Sequence, residues 1–231
     1  MHNHTLEQCP ICGGSEFKET NVLWDELNNA WGISHEEVEY INLQQGFQCT
    51  GCGANLRSMA LAQALLRAWN GHEPLQRFVC SPNVKDFRVL EINEAGSLSA
   101  FLACLPGHEL ITYPGSDMMN LPFADCNWDF VVHSDTLEHV PDPLKGLSEC
   151  RRVLRPGGVC IFTIPIIVGR MTRRRKGLPP SYHGSSANPA DFLVHTEYGA
   201  DFWTEIMQAG FSECRISSLR FPAAQAIAAV G

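Results

Sequence analysis

Four cysteines carry the most specific chemical signature in the chain: Cys9 and Cys12 in Cys-Pro-Ile-Cys-Gly, and Cys49 and Cys52 in Cys-Thr-Gly-Cys-Gly. Each pair turns tightly enough for two thiolates to face one point, and Gly13 and Gly53 relieve the backbone just past the turn. Two such knuckles supply four sulfurs, the number a closed tetrahedral zinc site needs, whereas a redox dithiol would account for one pair and not two. A closed site has no open coordination position, so its expected work is to hold a short segment folded. A second set of reactive groups, His133, Ser134 and Asp135, follows the apolar run Phe130, Val131 and Val132, with His139 shortly beyond. Imidazole and carboxylate at the mouth of a buried strand can exchange protons, which makes His133, Asp135 and His139 candidate bases. A third set is cationic: Arg170, Arg173, Arg174, Arg175 and Lys176, followed by Tyr182 and His183 as further proton-transfer candidates.

The elements that must hold these groups are legible in period and punctuation. Phe130 to Val132 reads as a buried strand. Asp142 and Pro143 form a helix start, and Leu144, Leu147, Cys150 and Leu154 fall on one helical face. Arg151, Arg152 and Arg155 suit the negative end of that helix, which Pro156, Gly157 and Gly158 are expected to stop. Residues 159–164 then read as a second buried strand, completing a right-handed parallel crossover. Upstream, residues 55–69 predict a helix with a wide apolar face, and residues 87–92 and 108–113 predict strands. Downstream, residues 166–191 predict a long unstructured connection, residues 196–209 a helix with Phe202, Trp203, Ile206 and Met207 inward, and residues 214–219 a strand.

At 231 residues, the chain can hold one sizeable domain plus a small module: residues 1–54 as a zinc ribbon, 55–80 as a linking helix and 81–231 as the main domain. The segment between the knuckles is too polar to form a core alone and is expected to pack on them and on the larger domain. A hydrophobic fraction of 45% is ordinary for a globular protein, and no apolar run is long enough to span a bilayer. The opening residues are polar and do not read as a secretory leader, so a cytoplasmic location is expected. A formal charge of −8 argues against a protein that coats nucleic acid. Six of the ten cysteines are scattered among apolar residues, which favours metal plus buried thiols over a disulfide framework.

Residues 128–165 also resemble the fourth strand, following helix and fifth strand of class I S-adenosylmethionine (SAM) dependent methyltransferases. That family often reads FDxVxxxxxLEHxxDPxxxLxExxRVLxPGGxxxxxxP. Asp129, Leu137, Glu138, His139, Asp142, Pro143, Glu149, Arg152, Val153, Leu154, Pro156, Gly157, Gly158 and Pro165 stand at the matching places. The resemblance implies an α/β fold with a Rossmann-like sheet, SAM as cofactor and a closing antiparallel hairpin that would end over residues 226–230.

By the same resemblance, the cofactor would lie against Glu91, Asn93, Ala95 and Gly96 at the end of the first strand, with Tyr113, Asp117, Met118, His133 and Ser134 completing the site. Two departures stand out. Asn93 and Ala95 occupy places where the family has glycine, and Tyr113 stands where it has the acid that holds the ribose hydroxyls. Asp117 to Phe123 matches the family's adenine-binding Asp-x-x-x-Leu-Pro-Phe segment. Only Pro114, Gly115 and Ser116 separate Tyr113 from it, too few for a parallel crossover, so a sheet trimmed at its third strand is expected. The family's fold also places the connection after the fifth strand over the acceptor, where the cations would suit an anionic or phosphate-bearing carrier; a solvated charge run is the rival. The expected function is methyl transfer to a small or carrier-linked acceptor, a glycan hydroxyl among them. A scaffolding protein that has lost catalysis and an RNA methyltransferase are the alternatives.

Overall fold

The computed structural model describes residues 6–182 and 193–231. The N-terminal module pairs β1 (Phe17–Lys18) antiparallel with β2 (Gln48–Cys49), and between them lie α1 (Asp25–Trp31) and α2 (His35–Gly46). A capping box starts α2: the Ser34 side chain accepts from the Glu37 N–H while the Glu37 carboxylate accepts from the Ser34 N–H. Cys9, Ile11, Tyr40, Phe47 and Cys49 of this module belong to the same buried cluster as α3 (Leu56–Ala68) and one face of the main sheet. A short turn of helix, α4 (Leu75–Phe78), donates backbone hydrogen bonds to the Pro10 and Ile11 carbonyls, tying the first knuckle to the same cluster.

Among the described residues the main sheet has six strands. β3 (Arg88–Ile92), β4 (Gly107–Ile111), β5 (Trp128–Ser134) and β6 (Leu154–Thr163) run parallel, with α5 (Ser99–Leu102) and α6 (Pro143–Val153) as crossovers. After β6 come β7 (Ile166–Ile167), β8 (Arg173–Arg174) and β9 (Thr196–Gly199), which form a small separate sheet, then α7 (Trp203–Gln208). β10 (Glu213–Leu219) and β11 (Ala224–Val230) close the main sheet as an antiparallel hairpin against β6, giving the order β10-β11-β6-β5-β3-β4. Residues 112–127 connect β4 back to β5 with no strand, so the trimmed sheet expected from the short spacing is what the chain forms. Trp69, Phe78, Phe87 and Phe130 cluster with ring centroids 5.2 to 6.1 Å apart and seal the sheet beneath α3.

A single 3-10 turn, Gly96–Leu98, leads from β3 into the four-residue α5. Three expectations are corrected. The Pro156-Gly157-Gly158 run lies within β6 as an irregularity in its pairing with β5, because α6 already ends at Val153. Gly158 is required there, since a Cβ would stand 3.0 Å from the Asp129 carbonyl oxygen and 2.9 Å from that of Arg155. Residues 166–182 carry two short strands where an unstructured connection was expected. Finally, residues 196–199 are strand, and only Trp203–Gln208 is α-helical; Phe202 and Ile206 are buried but Trp203 and Met207 are exposed.

Asp129 locks the bottom of this sheet, accepting the Arg88 N–H at 2.8 Å and pairing with Arg155 at 2.6 Å from a nearly buried position. Replacing it by alanine strands the Arg88 donor, so Asp129→Ala is expected to lower unfolding free energy by about 1–3 kcal/mol, read from the urea midpoint at unchanged slope.

Candidate active site and metal centre

The four cysteine sulfurs lie within 4.8 Å of one another, with Cys9 to Cys52 at 3.7 Å and Cys12 to Cys49 at 3.6 Å. A tetrahedral zinc with Zn–S bonds of about 2.3 Å needs sulfurs roughly 3.8 Å apart, so the arrangement fits such an ion. The knuckle geometry is local: the Gly13 N–H donates to the Cys9 carbonyl and the Gly53 N–H to that of Cys49, each at 2.8 Å, with both glycines at positive φ. Burial pushes the Cys9 and Cys52 thiols up, Cys52 to about 11, and a dication is what would hold four crowded sulfurs as thiolates.

At the carboxyl edge of the main sheet, β3, β4 and β5 end side by side, with Ile92 opposite Ile111 on one side and His133 on the other. Asn93 takes φ +55°, the left-handed conformation that glycine usually supplies, and Gly96 takes φ +57°. The Asn93 side chain accepts the Tyr113 N–H at 3.0 Å, so it also fastens the end of β4. Glu91 is fully buried: one oxygen accepts the Ala95 N–H at 2.7 Å and the other meets His108 Nε2 at 2.6 Å. The turn over residues 93–96 is thus held by a carboxylate beneath it.

Asp117 and Met118 sit on the strandless connection. Asp117 Oδ1 accepts the Met119 N–H at 2.8 Å, leaving the second oxygen as the one suited to an external donor. Met118 is buried against Gly146 of α6. Arg152 clamps the same segment, donating to the Leu121 and Phe123 carbonyls and pairing with Glu149 and Asp125, while Glu149 accepts the Leu121 N–H. Tyr113 is 58% exposed and offers no carboxylate for a ribose.

The end of β5 is the most densely functionalised part. His133 is completely buried, stacks on Phe162 at 4.5 Å, and has no partner among the described residues on either ring nitrogen; burial lowers its pKa to about 3, so the imidazole is neutral and a weak base. Ser134 shares a hydrogen bond with Thr163 at 2.8 Å. Asp135 adopts φ +45°, donates its N–H to the Thr163 carbonyl, accepts the Thr163 hydroxyl at 3.2 Å and forms an ion pair with Arg57 from α3. Glu138 is buried with one carboxylate oxygen unpartnered among the described residues, and burial followed by the Asp135 charge raises its pKa well above 4.5. His139 Nδ1 lies 3.0 Å from the Leu193 carbonyl, so that nitrogen carries the hydrogen and Nε2 is the basic one.

Arg57, Thr163, His108 and the Glu149–Arg152 clamp support the candidate site from around it, and sequence reasoning did not assign them. Arg57 has no local signal at all, since its partner Asp135 follows a strand far along the chain. The cationic run is largely spoken for: Arg170 pairs with Glu37 at 2.6 Å, Arg173 with Glu197 at 2.5 Å, Arg174 with Glu205 at 2.8 Å, and Arg175 with Glu197. Arg174, Arg175 and Lys176 border an open groove of ≈ 580 Å³ together with His195 and Pro179. Tyr182 is exposed and bridges to Leu193; His183 lies outside the described residues.

Because Glu138 holds its proton in the folded state above the ordinary value of 4.5, the folded protein binds more protons than the unfolded chain there, and stability falls as pH rises from that value. Glu138→Gln mimics the protonated form. Its stability relative to wild type is therefore expected to grow with pH, measured as urea midpoints from acid to mildly alkaline buffer; a constant offset would contradict the assignment.

Residues 80–162 match a methyltransferase domain family. A demethylmenaquinone methyltransferase of Staphylococcus epidermidis is 51% identical over 157 residues, which is 64% of this chain and 58% of the relative. One of Corynebacterium glutamicum is 35% identical over 118 residues, 46% of this chain and 51% of the relative. The chain thus spans little more than half the length of these curated relatives. A solved structure of a SAM-dependent methyltransferase from Aquifex aeolicus is 15% identical with a TM-score of 0.38, over 62% of this chain and 80% of that one. The matched stretch covers the turn after β3, the strandless connection and the β5-α6-β6 crossover, and over it the chain is similar to methyltransferase domains.

Proposed function

We propose that this protein transfers the methyl group of SAM to a small or carrier-linked acceptor in the cytoplasm, with residues 81–231 as the catalytic unit and residues 1–54 as a zinc ribbon. The observation that carries this reading is the set of groups at one sheet edge: Asn93 bonded to the Tyr113 backbone and His133 opposite Ile92, with Asp117 four residues beyond Tyr113 on the clamped connection. The sulfonium of bound SAM supplies an already activated methyl group. The chain's own task is to align acceptor and donor and, for a hydroxyl acceptor, to receive a proton.

Asn93, Ala95 and Gly96 would hold the methionine part, with Glu91 setting the turn; Asp117 and the Met118 backbone would read adenine. Tyr113 would flank the ribose, and His133 and Ser134 would close the pocket floor. Among the candidate bases, Asp135 at the strand mouth is favoured over His133, whose burial makes it a poor proton acceptor; His139 is the second choice. A glycan hydroxyl is the acceptor to test first. An anionic carrier would have to compete with Glu197 and Glu205 for the arginines of the basic segment. The demethylmenaquinone named for the relatives is a further acceptor to screen.

A scaffold without catalysis remains the second reading because the ribose carboxylate is missing at Tyr113. Calorimetry with SAM separates the two. Binding is expected in the zinc-loaded protein and about tenfold or more weaker in Asp117→Ala, the scale of one lost charge-assisted hydrogen bond; no heat in the wild type would leave the scaffold. Metal analysis of the purified chain is expected to give one zinc per molecule and a marked loss in Cys49→Ser. A stoichiometry near zero in wild-type protein would end the four-thiolate assignment.

A further inference from the structure

The second knuckle runs straight into α3. Cys49 donates its N–H to the Ala54 carbonyl at 2.9 Å, Asn55 follows as the helix cap, and its side chain accepts the Ser58 N–H at 2.9 Å. The first turn of α3 therefore has its position set by the sulfur cluster. From that turn two side chains reach the proposed cofactor end of the sheet. Arg57 forms the ion pair with Asp135, both side chains only 19% exposed, and Ser58 Oγ stands 3.5 Å from where a Cβ on Gly96 would be.

We propose that Arg57 is a positioning residue that couples the metal state of the ribbon to the cofactor site, by holding Asp135 in its left-handed conformation while the first turn of α3 stays anchored to the knuckle. This rests on the SAM-binding reading above. A non-glycine residue at φ +45° costs free energy and persists only where its surroundings over-determine it. Here the restraints are Arg57 on one side and the Thr163 carbonyl and hydroxyl on the other. A largely buried ion pair is intolerant of displacement, since breaking it leaves one charge uncompensated. The Arg57 Nε is itself buried without a partner among the described residues, so the guanidinium has little to fall back on if Asp135 moves. Loss of the metal would free the knuckle, shift the first turn of α3, and release both Asp135 and the Gly96 turn. By linkage the effect runs both ways: a ligand that needs the ordered site must tighten the hold on zinc by the same factor.

The test uses the full zinc-loaded chain and S-adenosylhomocysteine as probe. Zinc transfer to a chromogenic chelator is timed with and without the probe, and probe affinity is measured separately by calorimetry. The probe is expected to slow zinc loss in the wild type by about 5–150-fold, the usual range of coupling between sites, with the tighter hold on zinc appearing in its off-rate. In Arg57→Met the slowing is expected to fall close to unity while the probe still binds, and Arg57→Lys is expected to restore part of it. Slowing that arises only from global stabilisation of the fold would survive the substitution. Equal slowing in wild type and Arg57→Met overturns the proposal. So does the absence of slowing in wild type that binds the probe, a result that needs no variant to fold. Failure of the zinc-loaded wild type to bind the probe at all instead defeats the SAM-binding reading, and the coupling with it.

Discussion

A chain that returns from a sheet edge to the sheet's middle without a strand of its own must be tied down by side chains, and the guanidinium of Arg152 does most of that here. It takes up two backbone carbonyls and two carboxylates, and Glu149, its partner on the same helix, adds the Leu121 N–H. In a fuller sheet the ladder hydrogen bonds of a third strand would hold that connection. The fork geometry of arginine can replace several of them at once, because its donors are planar and fixed. The placement of Asp117 and Met118 depends on this clamp. A mobile connection would carry the same residues to no particular place.

The ribbon is not an appendage to this arrangement. Its knuckles share a buried cluster with α3 and the sheet, Gln44 donates to the Ala223 carbonyl at 2.8 Å, and Arg220 lies over the Phe47 ring at 4.1 Å while pairing with Glu19. The polar segment between the knuckles could not bury enough surface alone, and it is stabilised by what it packs against. Its Glu37 in turn takes the charge of Arg170, one of the cations that sequence alone left facing solvent or acceptor.

The end of β5 concentrates groups that are costly to bury. Among the described residues His133 has two unpartnered nitrogens and Glu138 an unpartnered oxygen, and a fold under selection for stability alone would replace both with apolar side chains. Burial pushes both toward neutrality, and Asp135 beside them is held in an ion pair with Arg57. Buried polar groups gathered in this way are typical of functional sites.

Period and punctuation determined the β5-α6-β6 crossover, the α3 helix and the two knuckles, because each is encoded by residues close in sequence, while the closing hairpin was implied by the family resemblance. Once that resemblance located the segment starting at Asp117, the three residues between it and Tyr113 left no room for a third strand, a constraint of chain length that needs no coordinates. The segment over residues 196–199 misled for a local reason: Thr196 and Tyr198 alternate with Glu197 at strand period, and Gly199 is demanded by the Arg170 carbonyl 2.2 Å from where its Cβ would stand, yet the apolar run behind them suggested one long helix. Only the tertiary structure decided the partners of Arg57, Arg152 and His108, the neutralisation of the basic run and the burial of His133. These depend on which distant segments the sheet order brings together, and an ion pair or a desolvated ring has no signature in the residues on either side of it.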